Sequence, residues 1–432
     1  MSAFLGMRGT GDWQTDERPK NWRETILYLY PNGTAALTAI LSKMGSEKVD
    51  DPQFHWWTKM LQEQGGEVAG TFSDVGLSTE YDNHSKNKGD IVYAKCAESV
   101  AGHFRVGHQA LLRLTNKYSI DTVGKVVESV QNGSHSYVAV RLLEDDKGSS
   151  GDDAHNYIMA IGTINAEGAV MPDPIAYDPV KWWNYTQIFR TPLSITRTAQ
   201  RTRLRTTEAY QEAKREALEY HSIEMERAIL FGVPTEEIGA NGKPERTTMG
   251  LINAIRGGYT GHGGRAGHVF DAPTDLSSND TWIDEGEEWL DEKLEEIFRY
   301  GSDEKMALCG TGALLGINRL VKAKGTFEYQ PTTAAYGIQV VKWTTPFGVI
   351  NLKTHPLFSY EETMRHSMVL FEPNNIKFRF IDDTTFYEEG EQQNTGYGRK
   401  DSRDEEYLTE AGLEYHHPVS WGLLTGVGKD GE

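Results

Sequence analysis

The chain has 432 residues and a formal net charge of −19, from 63 acidic and 44 basic side chains. This length exceeds what one simple hydrophobic core uses, so two or three domains are expected. The acidity argues against a general nucleic-acid binder, since that affinity comes from cationic contacts to phosphate. No apolar run approaches the roughly 18 residues of a membrane span, and the N-terminus lacks the apolar centre of a secretion signal.

The first 22 residues form an N-terminal segment with little capacity to fold alone. Residues 1–22 contain several glycines and few apolar side chains, so they cannot build a core of their own, and we expect another subunit to hold them. Aromatic residues are enriched at subunit interfaces, which makes Trp22, Trp56 and Trp57 candidate anchors. Packing in the core is the alternative for the two tryptophans of PQFHWWTKML.

From Glu67 to Ile161 the sequence changes to short strand patterns separated by turn signals. Segments such as GDIVYAKCAE, TVGKVVESV and SYVAVRLLE alternate with NKGD, QNGS and DDKGSSGDD. This spacing predicts a small barrel or sandwich at about residues 85–165. Taken alone, such a segment could also be a carbohydrate-binding or adaptor module. Cys96 lies in it and Cys309 lies far away, which predicts two reduced thiols and neither a disulfide nor a metal site.

An arginine-rich segment without acids follows at residues 190–205. Its proline, isoleucine and threonines predict an extended strand, and its arginines are Arg190, Arg197, Arg201, Arg203 and Arg205. The acids cluster elsewhere, with thirteen in residues 271–304 and ten in residues 382–410. We therefore expect the arginines to meet acids of a neighbouring subunit, with the phosphates of DNA as the competing partner.

The clearest helix of the sequence runs from Thr207 to Phe231. It contains neither glycine nor proline, and Gly232 followed by Pro234 ends it. At about 1.5 Å per residue it spans roughly 37 Å. Its inward face is predicted from the spacing of four residues along one side, namely Tyr210, Ala213, Ala217 and Tyr220.

The last part of the chain contains the few patterns that could indicate catalysis. A strand, Gly310-Thr-Gly312 and a helix resemble half of a dinucleotide fingerprint, but the third glycine is misplaced at Gly316 and no acid follows at ribose distance. The glycine loop GGYTGHGGRAGH lacks the Lys and Ser/Thr of a phosphate loop. The pairs His262 with His268 and His416 with His417 are weak metal candidates, and HExxH, GxSxG and CxxC are absent.

Four segments occur in an order that resembles the major capsid proteins of tailed bacteriophages, in the family whose E-loop carries a small inserted β-domain. They are WRETILYLYPNGTAALTAILSKM, NYTQIFRTPLSITRTA with the helix ending EMERAILFG, GINRLVKAKG, and EEYLTEAGLEYHHPVSWGLLTGV. The resemblance implies an α+β, Hong-Kong-97-type viral capsid fold. Its parts would be an N-arm (1–66), an E-loop region (67–200) with the β-domain at about 85–165, a P-domain spine helix (201–245), an A-domain (246–345), and returning P-domain strands with a C-terminal tail (346–432).

The resemblance also implies a structural function without catalysis or cofactor. Many copies would assemble as hexamers and pentamers into an icosahedral head that encloses double-stranded DNA, after assembly in the host cytoplasm. Its partners would be other copies of itself, with scaffold, portal and decoration proteins as further candidates, and DNA by weak contacts only; no membrane is expected. The alternatives are a cytosolic α+β enzyme that uses the Gly310–Gly312 turn and an interaction module that does not assemble.

Overall fold

The computed structural model describes residues 45–59, 64–81, 86–115, 117–147, 155–201, 209–257, 266–277, 280–324, 329–335, 338–388 and 402–431. It separates into two compact units. One comprises the described residues up to Thr58 together with those from Val180 onward, and the other comprises Lys59–Pro179. The proposed contact role of residues 1–22 therefore lies outside the described residues.

Strands predominate over helices in the described part of the chain. The strands are β1 (Ser46–Lys48), β2 (Gln53–Thr58), β3 (Gly65–Phe72), β4 (Ile91–Cys96), β5 (His108–Leu114), β6 (Lys117–Val130), β7 (Tyr137–Leu142), β8 (Tyr157–Thr163), β9 (Val180–Tyr185), β10 (Gln187–Thr196), β11 (Thr235–Ile238), β12 (Pro244–Thr247), β13 (His268–Asp271), β14 (Glu304–Cys309), β15 (Tyr329–Ala335), β16 (Ile338–Thr345), β17 (Gly348–Thr354), β18 (Met368–Phe371), β19 (Ile376–Glu388), β20 (Ser402–Tyr415) and β21 (Gly422–Thr425). The helices are α1 (Glu98–Ala101), α2 (Arg197–Arg201), α3 (Ala209–Phe231), α4 (Leu251–Ile255), α5 (Ala272–Asp275), α6 (Trp282–Phe298), α7 (Thr311–Lys324) and α8 (Pro356–Tyr360).

The unit formed by Lys59–Pro179 is a closed barrel with the strand order β3-β4-β7-β6-β5-β8. Alternate residues of its strands fill the interior, as the two-residue period of a strand requires; Val92, Ala94, Leu112 and Val140 are among the buried side chains. β3 closes the barrel by pairing with both β4 and β8. The barrel therefore begins at Gly65, earlier than the boundary of about 85 predicted from the sequence.

Two segments pair with strands that are distant in the sequence. β1 pairs in parallel with β19, and β2 pairs with β9, so residues 46–58, at the end of the region assigned to the N-arm, belong to sheets of the main unit. β10 pairs with β20 over its whole length and thus belongs to the sheet beside α3, outside the E-loop region predicted for 67–200. A local pattern predicted β10 as a strand, but the partners of β1, β2 and β10 lie far away in the sequence, where no local pattern reaches.

The long helix α3 packs on the four-stranded sheet β1-β19-β20-β10. Ala217 is buried there, but Tyr220, predicted to face inward, is 62% exposed. The buried face continues instead through His221, whose Nδ1 lies 3.0 Å from Thr191 Oγ1 and whose Nε2 lies 2.8 Å from Thr409 Oγ1. A polar residue thus occupies a position on the inward face where an apolar one was expected.

A seven-stranded mixed sheet forms the other large layer of the main unit, in the order β13-β21-β18-β14-β17-β16-β15. The helix α6 buries Trp282, Trp289, Leu290, Leu294 and Ile297 in the core of this layer, and Phe298 is partly buried. The prediction that residues 346–432 return to the sheet beside the long helix is wrong for β17, β18 and β21, because β17 and β18 pair with β14 and β21 pairs with β18, all within the seven-stranded sheet.

The buried His221 makes the stability of this unit depend on pH. Burial lowers the pKa of His221, with Glu224 opposing the shift. Below about pH 6.5 the unfolded chain therefore takes up a proton at this residue before the folded chain does, and the free energy of unfolding falls as the pH decreases. In His221→Gln this contribution is absent, while at neutral pH the loss of two hydrogen bonds to buried hydroxyls costs about 1–3 kcal/mol.

Urea unfolding followed by circular dichroism at pH 7.5 and 5.5 measures this effect. We expect wild type to be more stable than His221→Gln at pH 7.5 and the difference to shrink at pH 5.5. The exposed His135 offers a control, and His135→Gln should track wild type at both values. If the free energies of unfolding of wild type and His221→Gln differ by the same amount at both pH values, His221 is not the source of the pH dependence.

Candidate functional site

A two-stranded ribbon of β2 and β9 presents an aromatic surface on its outer face. Successive residues of a strand point to opposite sides, and here Phe54, Trp56 and Trp182 point into the core. Trp57, Trp183 and Tyr185 point the other way. Trp57 is 61% exposed, and the rings of Trp183 and Tyr185 meet edge to face with centroids 5.2 Å apart.

Polar groups border this aromatic face, which we call the ribbon face (His55, Trp57, Lys181, Trp183 and Tyr185). Lys181 pairs in register with Trp57, and His55 pairs with Trp183. Burial raises the pKa of Tyr185, Glu236 raises it further and Arg246 lowers it, so the hairpin of β11 and β12 lies nearby. Exposed aromatic rings bordered by charged groups are typical of the centre and rim of protein interfaces.

The two adjacent tryptophans predicted as anchors have opposite positions. Trp56 stacks on Trp182 at 6.5 Å between ring centroids and donates its indole N–H to the Tyr415 carbonyl at 2.6 Å. Its assignment to an interface is therefore wrong, because its side chain is buried in the core of its own unit. Alternation along the strand could have shown that both neighbours cannot face the same side. Trp22 lies outside the described residues.

The arginine-rich segment is only partly the ribbon predicted from its sequence. Arg190 lies on β10, but Arg197 and Arg201 lie on the short helix α2, so the prediction of a continuous strand is wrong for these two residues. Both are exposed. Arg203 and Arg205 lie outside the described residues.

The acids expected on a neighbour are in part supplied by the chain itself. β20 runs antiparallel to β10 and carries Asp404, Glu405 and Glu406 alongside it. Arg190 binds Glu406 through both ends of its guanidinium, with Nε to Oε2 at 2.8 Å and Nη2 to Oε1 at 2.6 Å. The premise that the acids of 382–410 lie away from the arginine segment is thus wrong, since antiparallel pairing brings them beside it.

The glycine turn after β14 is filled by the chain's own backbone. A Cβ on Gly310 would lie 2.2 Å from the Arg365 carbonyl oxygen, and one on Gly316 would lie 2.5 Å from the Cα of Gly428. The same Arg365 oxygen accepts a hydrogen bond from the Ala313 N–H at 3.1 Å, in the first turn of α7. These glycines allow close backbone packing, and the turn has no room for a pyrophosphate.

The histidines and cysteines that could carry chemistry make contacts within the fold where the structure describes them. His416 lies 2.6 Å from Glu414, which also binds Arg379, and the described residues contain no group of three or more side chains that could hold a metal ion. His262 lies outside them. Cys96 and Cys309 are free and buried, and burial raises their pKa values to about 11 and about 12, so both stay protonated at neutral pH. Among the described helices, none is long and apolar enough to cross a bilayer.

The exposed Trp57 on the ribbon face and the exposed arginines of α2 are suited to contact with other proteins. The family model of the SU10 major capsid protein matches residues 7–428, and the chain belongs to this family. It is a structural component of a phage particle and not an enzyme.

Comparison with individual proteins gives similar chains of matching length. The chain is 24% identical over 443 residues to the major capsid protein of Pseudomonas phage PaMx41, with 99% of this chain and 97% of that protein covered. Similar solved structures include the capsid of the native GTA particle, at 8% identity and a TM-score of 0.45, covering 95% of this chain and 96% of that one. The capsid of Myoviridae phage XM1 has 8% identity and a TM-score of 0.41, covering 94% and 96%.

Reversing the charge of Arg201 tests where the arginines of α2 point. If they meet acids of a neighbouring subunit, Arg201→Glu should make empty particles dissociate at a lower salt concentration. Each lost ion pair should weaken the contact between subunits by up to about 1 kcal/mol. Arg299→Glu is the matched control, because Arg299 already pairs with Glu295 at 2.7 Å on its own helix. Dissociation is followed by light scattering over a salt series. Empty particles as stable as wild type, with DNA lost from filled ones, would instead place the arginines against DNA.

Proposed function

We propose that this chain assembles as hexamers and pentamers into an icosahedral phage head that encloses double-stranded DNA. The observation that carries the proposal is the match to the capsid family over residues 7–428, which spans nearly the whole chain. Assembly takes place in the host cytoplasm. Scaffold, portal and decoration proteins are its further partners, and the net charge of −19 restricts DNA to weak contacts.

The described elements suit the parts of a Hong-Kong-97-type capsid subunit. The barrel of residues 59–179 would be the domain inserted in the E-loop, since it lies between the paired strands β2 and β9. The helix α3 would be the spine helix, and the sheet that carries it would form the P-domain. The seven-stranded sheet with α6 and α7 would be the A-domain, which then extends past residue 345 to include β17, β18 and β21.

The ribbon face provides a physical basis for contact between subunits. An aromatic side chain buries about 150–250 Å² when covered, and a tryptophan in the centre of an interface commonly contributes more than about 2 kcal/mol. Trp57 is exposed in the isolated chain, so a neighbour that covers it would gain this contribution. Repeating a modest contact around a closed shell multiplies it, because each subunit is held by several neighbours at once.

The size of the expressed protein decides between assembly and the alternatives. We expect light scattering and electron microscopy to show closed shells or free hexamers and pentamers. Small discrete oligomers of a folded chain, under every salt and protein concentration at which the chain stays soluble, would overturn the proposal and favour an interaction module.

Truncation of Trp57 tests the ribbon face directly. Trp57→Ala should raise the protein concentration needed for assembly by about tenfold or more, since each lost contact of about 1.4 kcal/mol corresponds to a factor of ten. Trp57→Phe keeps an aromatic ring and should assemble close to normally. Circular dichroism checks that both variants remain folded. Equal assembly thresholds for wild type and Trp57→Ala would show that the ribbon face is no subunit contact.

A further inference from the structure

The barrel unit has an open cleft of about 330 Å³ beside the entrance to β5. One wall is the turn that precedes β5, with Arg105, Val106 and Gly107, and Lys125 from the paired strand β6. The other wall is the segment between β8 and β9, which runs from residue 164 to 179 without helix or strand. The cleft therefore lies within one unit and is bounded by two irregular segments.

Arg105 is fixed in place at this cleft by two hydrogen bonds. Its Nε donates to His108 Nε2 at 3.0 Å, and its Nη1 donates to the Asp173 carbonyl oxygen on the opposite wall. His108 is buried, and burial lowers its pKa, with Arg105 lowering it further. The imidazole is thus neutral and accepts from the guanidinium, which holds the charge of Arg105 in one position and leaves Nη2 for another acceptor.

Three buried polar atoms in residues that flank the cleft lining along the chain have no hydrogen-bond partner among the described residues. They are His103 Nδ1, His108 Nδ1 and Tyr177 Oη, and the rings of His103 and Tyr177 meet with centroids 5.7 Å apart. Buried polar groups in folded proteins are normally paired. These residues therefore retain hydrogen-bonding capacity that the chain alone does not use.

The lining of the cleft combines positive charge with exposed apolar side chains. Arg105 and Lys125 supply two cations against the single acidic residue of the lining, Asp173, so the lining keeps a net positive charge, and no ion pair of Lys125 occurs within the described residues. Val106, Val170 and Met171 are 58%, 91% and 84% exposed. A free phosphate or a DNA backbone would use the cations but would leave the apolar side chains in water. A protein segment with a carboxylate beside an apolar residue satisfies both.

We propose that this cleft, between Arg105, Lys125 and residues 164–173, binds an acidic segment of a second copy of the chain. Charge complementarity favours that occupant, because each copy carries 63 acidic against 44 basic residues and thus has acidic surface to offer a basic cleft. A carboxylate of the second copy bridges Arg105 Nη2 and Lys125 Nζ, and its apolar neighbour covers Val106 and Met171. This inference rests on the proposed assembly into a shell.

Chemical crosslinking of assembled particles tests the contact. A carbodiimide activates carboxylates and joins them to lysine amines within contact distance as amides. Shells assembled from equal amounts of ¹⁵N-labelled and unlabelled chains are treated, digested and analysed by mass spectrometry. We expect Lys125 in crosslinks that combine labelled with unlabelled peptides in shells, and no such mixed crosslinks in dissociated subunits. Lys95 is the control, because it is also half-buried on a strand of the same barrel but outside the cleft.

Charge reversal gives a second readout that does not depend on the crosslinker. Lys125→Glu should release several-fold more subunits from shells than Lys95→Glu at the same urea and salt concentration, and circular dichroism should show both variants folded. If Lys125→Glu fails to fold, Lys125→Gln serves in its place.

Three outcomes would overturn the proposal. Wild-type shells that form normally with Lys125 uncrosslinked, or crosslinked only within its own chain, would exclude a second copy and leave the proposed function intact. If the Lys125 amine is protected from chemical reaction only in DNA-filled particles, phosphate is the ligand. A complete absence of shells for wild type would instead overturn the proposed function, and this inference with it.

Discussion

The antiparallel ladder between β10 and β20 is the constraint on which the main unit depends. It joins Gln187 to Ala411 and Thr196 to Ser402, which are far apart in the sequence, and it forms the surface on which α3 packs. Because Thr191 and Thr409 project from these two strands towards His221, the helix is held by directional hydrogen bonds as well as by burial. If one strand slipped by one residue in the ladder, its threonine would turn to the other face and lose His221, so register and helix position are fixed together.

The same ladder determines how the charges of this region are balanced. Arg190 finds Glu406 across the two strands, while Arg403 of β20 pairs with Glu388 at 3.2 Å and lies over the ring of Tyr210 at 4.8 Å. Tyr210 in turn donates to Glu405 at 2.7 Å, and burial together with Glu405 raises its pKa to about 12. The arginine segment thus has two parts. β10 is compensated within the chain, and α2, which follows, extends exposed arginines beyond it.

Sequence patterns predicted the elements far better than their partners. The small β-domain predicted at about residues 85–165 follows from local spacing, because its strands bury alternate apolar residues. The inward face of α3 departs from the apolar pattern, since His221 is buried through two hydroxyls that are distant in sequence. Trp56 and Trp57 have the same residue type and adjacent positions, and only the pleat of the strand separates a core residue from an exposed one. The basic cleft of the barrel was not predicted, because Arg105 and Lys125 lie twenty positions apart in the sequence and are brought together only by the pairing of β5 with β6.

The way in which the barrel is joined to the rest of the chain has a consequence for evolution. Thr58 and Val180, where the chain leaves and re-enters the main unit, are directly paired in the antiparallel ribbon of β2 and β9, so their Cα atoms lie only about 5 Å apart. Any domain with neighbouring termini can be accommodated between such points, because it adds no loop-closure requirement to the sheets on either side. Relatives of this chain could therefore exchange, enlarge or lose the barrel as a cassette while the helix and sheets of the main unit stay unchanged.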